Sequence, residues 1–170
     1  MRLLTAIVST ALLAAAQEAP DPKLHAAAVK LVDASGAKES LRGNIPQLVS
    51  QGKAKMLEQF PEYDPAFAEE WAKRMLARLN VEDFVKVAVK AYEKHFTSGE
   101  LEELIAFQAA RKDNKPATLS PELQKKLTTA MPALMGDIAG GCTQVGAKLG
   151  GEIGGEIEKE HPEYLKPKRQ

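Results

Sequence analysis

GAKLGGEIGGEIEKE, residues 146–160, decides how this chain is read. Eight of its twelve glycines lie between Gly136 and Gly155, so the stretch is a loop, a linker, a membrane segment or a helix that tolerates glycine. At ~100° per residue, with Val145 at zero, Leu127, Met131, Leu134, Ile138, Cys142, Leu149 and Ile153 fall within a sector roughly 100° wide. An apolar stripe that continues through the glycines predicts a helix. Each interior glycine costs ~1 kcal/mol relative to alanine, and packing along the stripe has to outweigh that. Gly146, Gly150 and Gly154 form one i,i+4 row, and Gly136 and Gly140 form another. Rows of small residues let a second backbone approach closely. The row Gly146, Gly150, Gly154 is therefore a candidate surface for another helix, within the fold or across a homo-oligomer; a pliable, fraying arm is the alternative. Lys148, Glu152 and Glu156 exclude a bilayer span. The GCTQVGAKL segment, from Gly141, brushes against a nucleotide-binding loop, but its lysine comes one residue late and Leu149 stands where a hydroxyl is needed.

Upstream, start signals recur at short intervals. Asp21-Pro22 opens a helix that Gly36 ends. Asn44 and Gln47 stand in capping-box spacing around Pro46, which predicts a second helix starting at Asn44 rather than an unbroken one from Lys38. Asp64-Pro65 opens a third, with Phe67, Trp71, Met75 and Leu79 on one face, and Asn80 a fourth. Thr97 and Glu100 cap a fifth. AARKDNKPATL, from Ala109, reads as the loop before Ser120-Pro121 starts the last helix. Nothing alternates with period two long enough for a strand. The expected class is all-α, a small bundle of five to six helices with a long glycine-rich C-terminal helix.

Composition narrows the function classes. Lys plus Arg equals Asp plus Glu, 23 against 23, which gives no electrostatic ground for nucleic-acid binding. Lys166, Lys168 and Arg169 read as a solvated tail. Arg2, the apolar LLTAIVSTALLAA and Ala14-Ala15-Ala16 have the three parts of a secretory signal peptide, cleaved after Ala16. Residues 17–170 are then a single helical domain of a periplasmic or secreted protein, without a transmembrane span. Cys142 is the single cysteine and falls in the apolar stripe, so it reads as buried.

Chemistry is sparse. His25, His95 and His161 match no metal or catalytic spacing, although His161 with Glu156 and Glu160 is a weak metal candidate. Glu69-Glu70, Glu102-Glu103 and Glu152-Glu156 read as solvated faces, and Trp71 as core. No catalytic set, cofactor site or metal site is assigned. The leading expectation is a non-catalytic module for a protein partner in the envelope. A metal-dependent enzyme or hydrolase, and a carrier of an apolar ligand between helices, are the alternatives.

Residues 87–108, VAVKAYEKHFTSGELEELIAFQ, resemble the bacterial family called domain of unknown function 2059. The matching positions are Tyr92, Phe96, Thr97, Glu100, Leu101, Leu104 and Phe107, within a looser likeness over about 48–160. After Phe107 the chain departs from the family pattern. The resemblance implies a helical exported protein and no particular activity; each matching residue also has a capping or packing role.

Overall fold

The computed structural model describes residues 21–165. These form six α-helices: α1 (Pro22–Ala34), α2 (Ala37–Gln59), α3 (Pro65–Arg78), α4 (Val81–His95), α5 (Ser98–Lys112) and α6 (Pro121–Glu160). A 3₁₀ turn, Pro162–Tyr164, follows. The fold is an all-α bundle. Among the described residues, extended pairing is limited to one antiparallel bridge between Tyr63 and Leu165.

Local signals set most boundaries. The carboxylates of Asp21 and Asp64 and the amide oxygen of Asn80 accept from the N–H of the second residue of α1, α3 and α4. Ser120 caps α6, accepting from the Leu123 N–H. Thr97 and Glu100 make a reciprocal capping box on α5. Each satisfies donors that a helix start leaves orphaned.

The second helix corrects the expectation. It starts at Ala37, not Asn44, and Pro46 lies inside it. Gly36, in the left-handed region at φ 70°, turns the chain so tightly that α2 begins at once. Ile45 and Val49 on either side of Pro46 pack into the core, which offsets the one backbone bond that proline removes. That bond would have ended on the carbonyl of exposed Arg42, where water reaches it. α5 likewise runs on to Lys112, shortening the expected loop to 113–120.

Two apolar clusters share α6. The first joins Ala28, Leu31 and Val32 of α1 to Val89 of α4, Leu101 and Leu104 of α5, and Leu123 and Leu134 of α6. The second joins Val49 of α2 to Phe67, Trp71 and Met75 of α3 and to Ile153 and Ile157 of α6. At 40 residues α6 is ~60 Å long, enough to serve both. The stripe read from sequence is kept at Leu134 and Ile153 but not at Met131, which is 40% exposed. Beside Met131 a groove opens between α1, α5 and α6.

Candidate functional site

The glycine row divides by what lies against it. A Cβ on Gly150 would sit 3.3 Å from Cζ2 of Trp71, and one on Gly154 3.9 Å from Cζ of Phe67. Gly146 has nothing within 4 Å and opens onto a cleft of about 450 Å³ with Arg78, Lys86 and Lys148 at its walls. The close approach is made by aromatic side chains of α3 and not by a helix backbone. Trp71 is held from the other side too, since a Cβ on Gly52 of α2 would lie 3.2 Å from its Cη2. The indole N–H donates to the Gly150 carbonyl at 3.1 Å. Two glycines, from α2 and α6, thus form a slot for one indole. Gly141, outside both rows, is tighter still: a Cβ there would stand 2.5 Å from Cγ1 of Val87 on α4. Gly136 and Gly140 have nothing within 4 Å.

The residues of the family-like motif all have structural work. Phe96, Leu101 and Leu104 are buried, and Tyr92 stands 6.0 Å from Phe96 between ring centroids. Glu100 accepts from the Thr97 backbone N–H at 2.8 Å and takes Lys126 of α6 on both oxygens, at 2.8 and 2.6 Å. Burial pushes its carboxyl up, but the bonds from Lys126 and Thr97 outweigh that and hold it below the usual glutamate range. Lys126 also lies 5.3 Å over the Phe96 ring.

Carboxylates read from sequence as solvated are tied between elements. Arg74 bonds Glu70 at 2.8 Å and Glu160 at 2.6 Å, and Arg78 bonds Glu156 at 2.6 Å. Two rungs at i,i+4 on α3 thus meet a glutamate row on α6. The bond from Arg74 holds both Glu70 and Glu160 below the ordinary range. Glu103 receives the Ser120 N–H and hydroxyl, fixing the start of α6 on α5. Apart from Glu70 and Arg74, an i,i+4 pair on α3, sequence spacing along one helix carries no signal for these partners.

The histidines are similarly engaged. His25 pairs with Glu93 at 2.6 Å, and His95 shares Asp137 with Lys94, at 2.7 and 2.8 Å. His161 bonds Glu163 at 3.0 Å and stacks on Tyr164, while Glu156 and Glu160 go to the arginines. The three groups of the metal candidate are not brought together, and among the described residues no other set of three is. Cys142 is half-buried and free, and burial raises its thiol pKa, which disfavours thiolate chemistry. Both residues 1–16, expected from sequence to be a signal peptide, and the basic tail lie outside the described residues.

What sequence reading missed is a groove of about 760 Å³ bounded by α1, α5 and α6. Leu31, Leu104, Ile105, Phe107, Leu127 and Met131 are among its walls, and Tyr92 contributes from α4. Gln108 lines it too, with its Oε1 buried and without a hydrogen-bond partner. A buried acceptor left so costs about 1–3 kcal/mol. Lys30, Arg111 and Lys112 also line the groove, and no carboxylate does. Arg111 lies 5.8 Å over the Phe107 ring. The arrangement suits an apolar body carrying a polar end. Among the described residues no helix is long and apolar enough to cross a membrane. No family model matches the chain, nor does any curated protein or solved structure.

Proposed function

We propose that this chain is an exported bacterial binding protein that performs no chemistry and holds an apolar ligand in the groove of α1, α5 and α6. One observation carries the reading: a concavity of about 760 Å³ with predominantly aliphatic and aromatic walls and a few polar groups. Ligand sites commonly have that size and composition. The likeness of residues 87–108 to domain of unknown function 2059 and the tripartite N-terminus support the export. Intact mass of the protein from a periplasmic fraction tests that part; a product retaining residues 1–16 in the cytoplasm would sink it.

Thermal denaturation with 1-tetradecanol, a neutral apolar probe, tests the groove. A ligand at 100 times its Kd adds ~2.7 kcal/mol, and the melting temperature should rise accordingly. An unchanged melt across soluble probe concentrations would end the proposal.

A second reading has its own support. Leu48 and Leu76 are 52% and 48% exposed, and Leu76 lines a shallow depression of about 600 Å³ with Pro46, Val49 and Ala72 between α2 and α3. This is the face we assign to a protein partner in the envelope. Leu76→Asp should abolish a pull-down from the native envelope while leaving tetradecanol binding intact.

A further inference from the structure

The charges around the groove are of one sign, and this says what its ligand carries. Lys30 from α1 and Arg111 and Lys112 from α5 line it together, without a carboxylate among the lining residues. No described carboxylate forms an ion pair with any of the three. A structural reason exists for two of them. Arg111 and Lys112 occupy the last turn of α5, where the helix dipole favours cations. It does not extend to Lys30, which lies before the last turn of α1, a turn without basic residues. Three exposed cations at the edge of one apolar concavity, none ion-paired with a described carboxylate, complement an anionic headgroup.

Gln108 adds a second requirement. It sits one helical turn before Arg111 and Lys112, and its buried Oε1 is an acceptor in want of a donor. A carboxylate supplies none. A hydroxyl or amide N–H on the ligand, roughly one turn (about 5 Å) in from the charged end, meets it once the Gln108 amide turns toward the groove.

Resting on the carrier reading above, we propose that the groove binds a single-chain anionic amphiphile. Its carboxylate lies at Lys30, Arg111 and Lys112, its hydrogen-bond donor at Gln108, and its chain against Ile105, Phe107, Leu127 and Met131.

Isothermal titration of the chain as the cell processes it, with three probes below their aggregation concentrations, tests this. The probes are 3-hydroxytetradecanoate, tetradecanoate and 1-tetradecanol. Tetradecanoate should bind roughly tenfold or more tighter than the alcohol, as expected for hydrogen bonds to a charged group. The 3-hydroxy acid should gain a further few-fold. Replacing the cations together, Lys30→Gln, Arg111→Gln and Lys112→Gln, should erase the advantage of the acids and leave the alcohol unchanged. Gln108→Leu should erase only the hydroxyl's increment. Ala34→Trp, at an exposed position on the groove wall, should block all three probes without unfolding the core. Equal binding of acid and alcohol, unmoved by the triple variant, overturns the headgroup assignment while the groove still holds an apolar ligand. Failure of every probe overturns the carrier reading itself. Probe binding that survives Ala34→Trp, or self-association that Ala34→Trp abolishes, also overturns it, assigning the groove in the latter case to a second copy of this chain.

Discussion

The two ends of α6 are packed by opposite means. Around Leu123 and Leu134 the helix meets mostly aliphatic side chains from α1, α4 and α5, with Tyr92 and Phe96 among them, and the fit leaves a groove beside it. Around Gly150 and Ile153 it meets aromatic rings from α3, and glycines on α2 and α6 are cut back to admit them. Branched side chains supply area but not a flat wall; bare backbone supplies the wall at the cost of helix propensity. Glycine is placed where a ring has to lie close to the helix, and leucine where surface has to be covered.

The contrast is tested most severely at Trp71. Trp71→Ala empties the slot and should cost about 3–5 kcal/mol, measured by urea melts. Hydrogen exchange should show the loss in α2, α3 and the end of α6, with amides of α1 and α5 retaining protection. Leu101→Ala, at the other end, should cost about 2–5 kcal/mol and reverse that pattern. If both variants loosen all six helices equally, the two ends are a single cooperative unit and the comparison fails.

Smaller changes sharpen it. Gly141→Ala drives a methyl against Val87, which cannot swing aside by more than its one torsion. Overpacking of about 1–3 kcal/mol exceeds the ~1 kcal/mol gained in helix propensity, so a net loss of about 1 kcal/mol is expected in denaturant melts. Gly146→Ala meets open space and should stabilise by about 0.4–1 kcal/mol. Stabilisation by both would show that the distance to Val87 exerts no constraint. Thr97→Ala should cost about 1 kcal/mol, through a cap that serves the α1–α5 end alone.

The smallest effect separates the ends by their charges. Arg74 holds Glu70 and Glu160, and Lys94 and His95 hold Asp137, all below their ordinary values. A carboxyl lowered on folding adds stability above its unfolded pKa and loses it as pH falls through the folded value, because the unfolded chain then binds more protons. Stability should therefore decline below about pH 4.5, the region where unfolded glutamates titrate. Arg74→Gln should flatten that decline, as followed by melts from pH 6 to 3. Salt should shrink it for these solvent-facing pairs.

How much of this was legible follows from distance along the chain. Asp21-Pro22, Asp64-Pro65, Asn80, Thr97 with Glu100, and Ser120-Pro121 each act within one turn, and the structure puts a helix start at every one. Asn44-Ile45-Pro46-Gln47 imitates the same signal inside α2, because a cap and an exposed proline in mid-helix look alike without knowledge of Ile45 and Val49 in the core. The purpose of Gly150 was out of reach, since Trp71 lies 79 residues away. The groove needed α1, α5 and α6 together, and none of its cations is distinctive on its own helix.

The indole slot has an optical consequence. Trp71 is the chain's single tryptophan, and its surroundings are contributed by three helices at one end of α6. Its emission colour therefore reports solvent entry at that end, whereas circular dichroism weighs every helix by length. Heated together, the two signals are a built-in vernier: their midpoints coincide when the bundle melts as a whole and drift apart by the amount that one end outlasts the other.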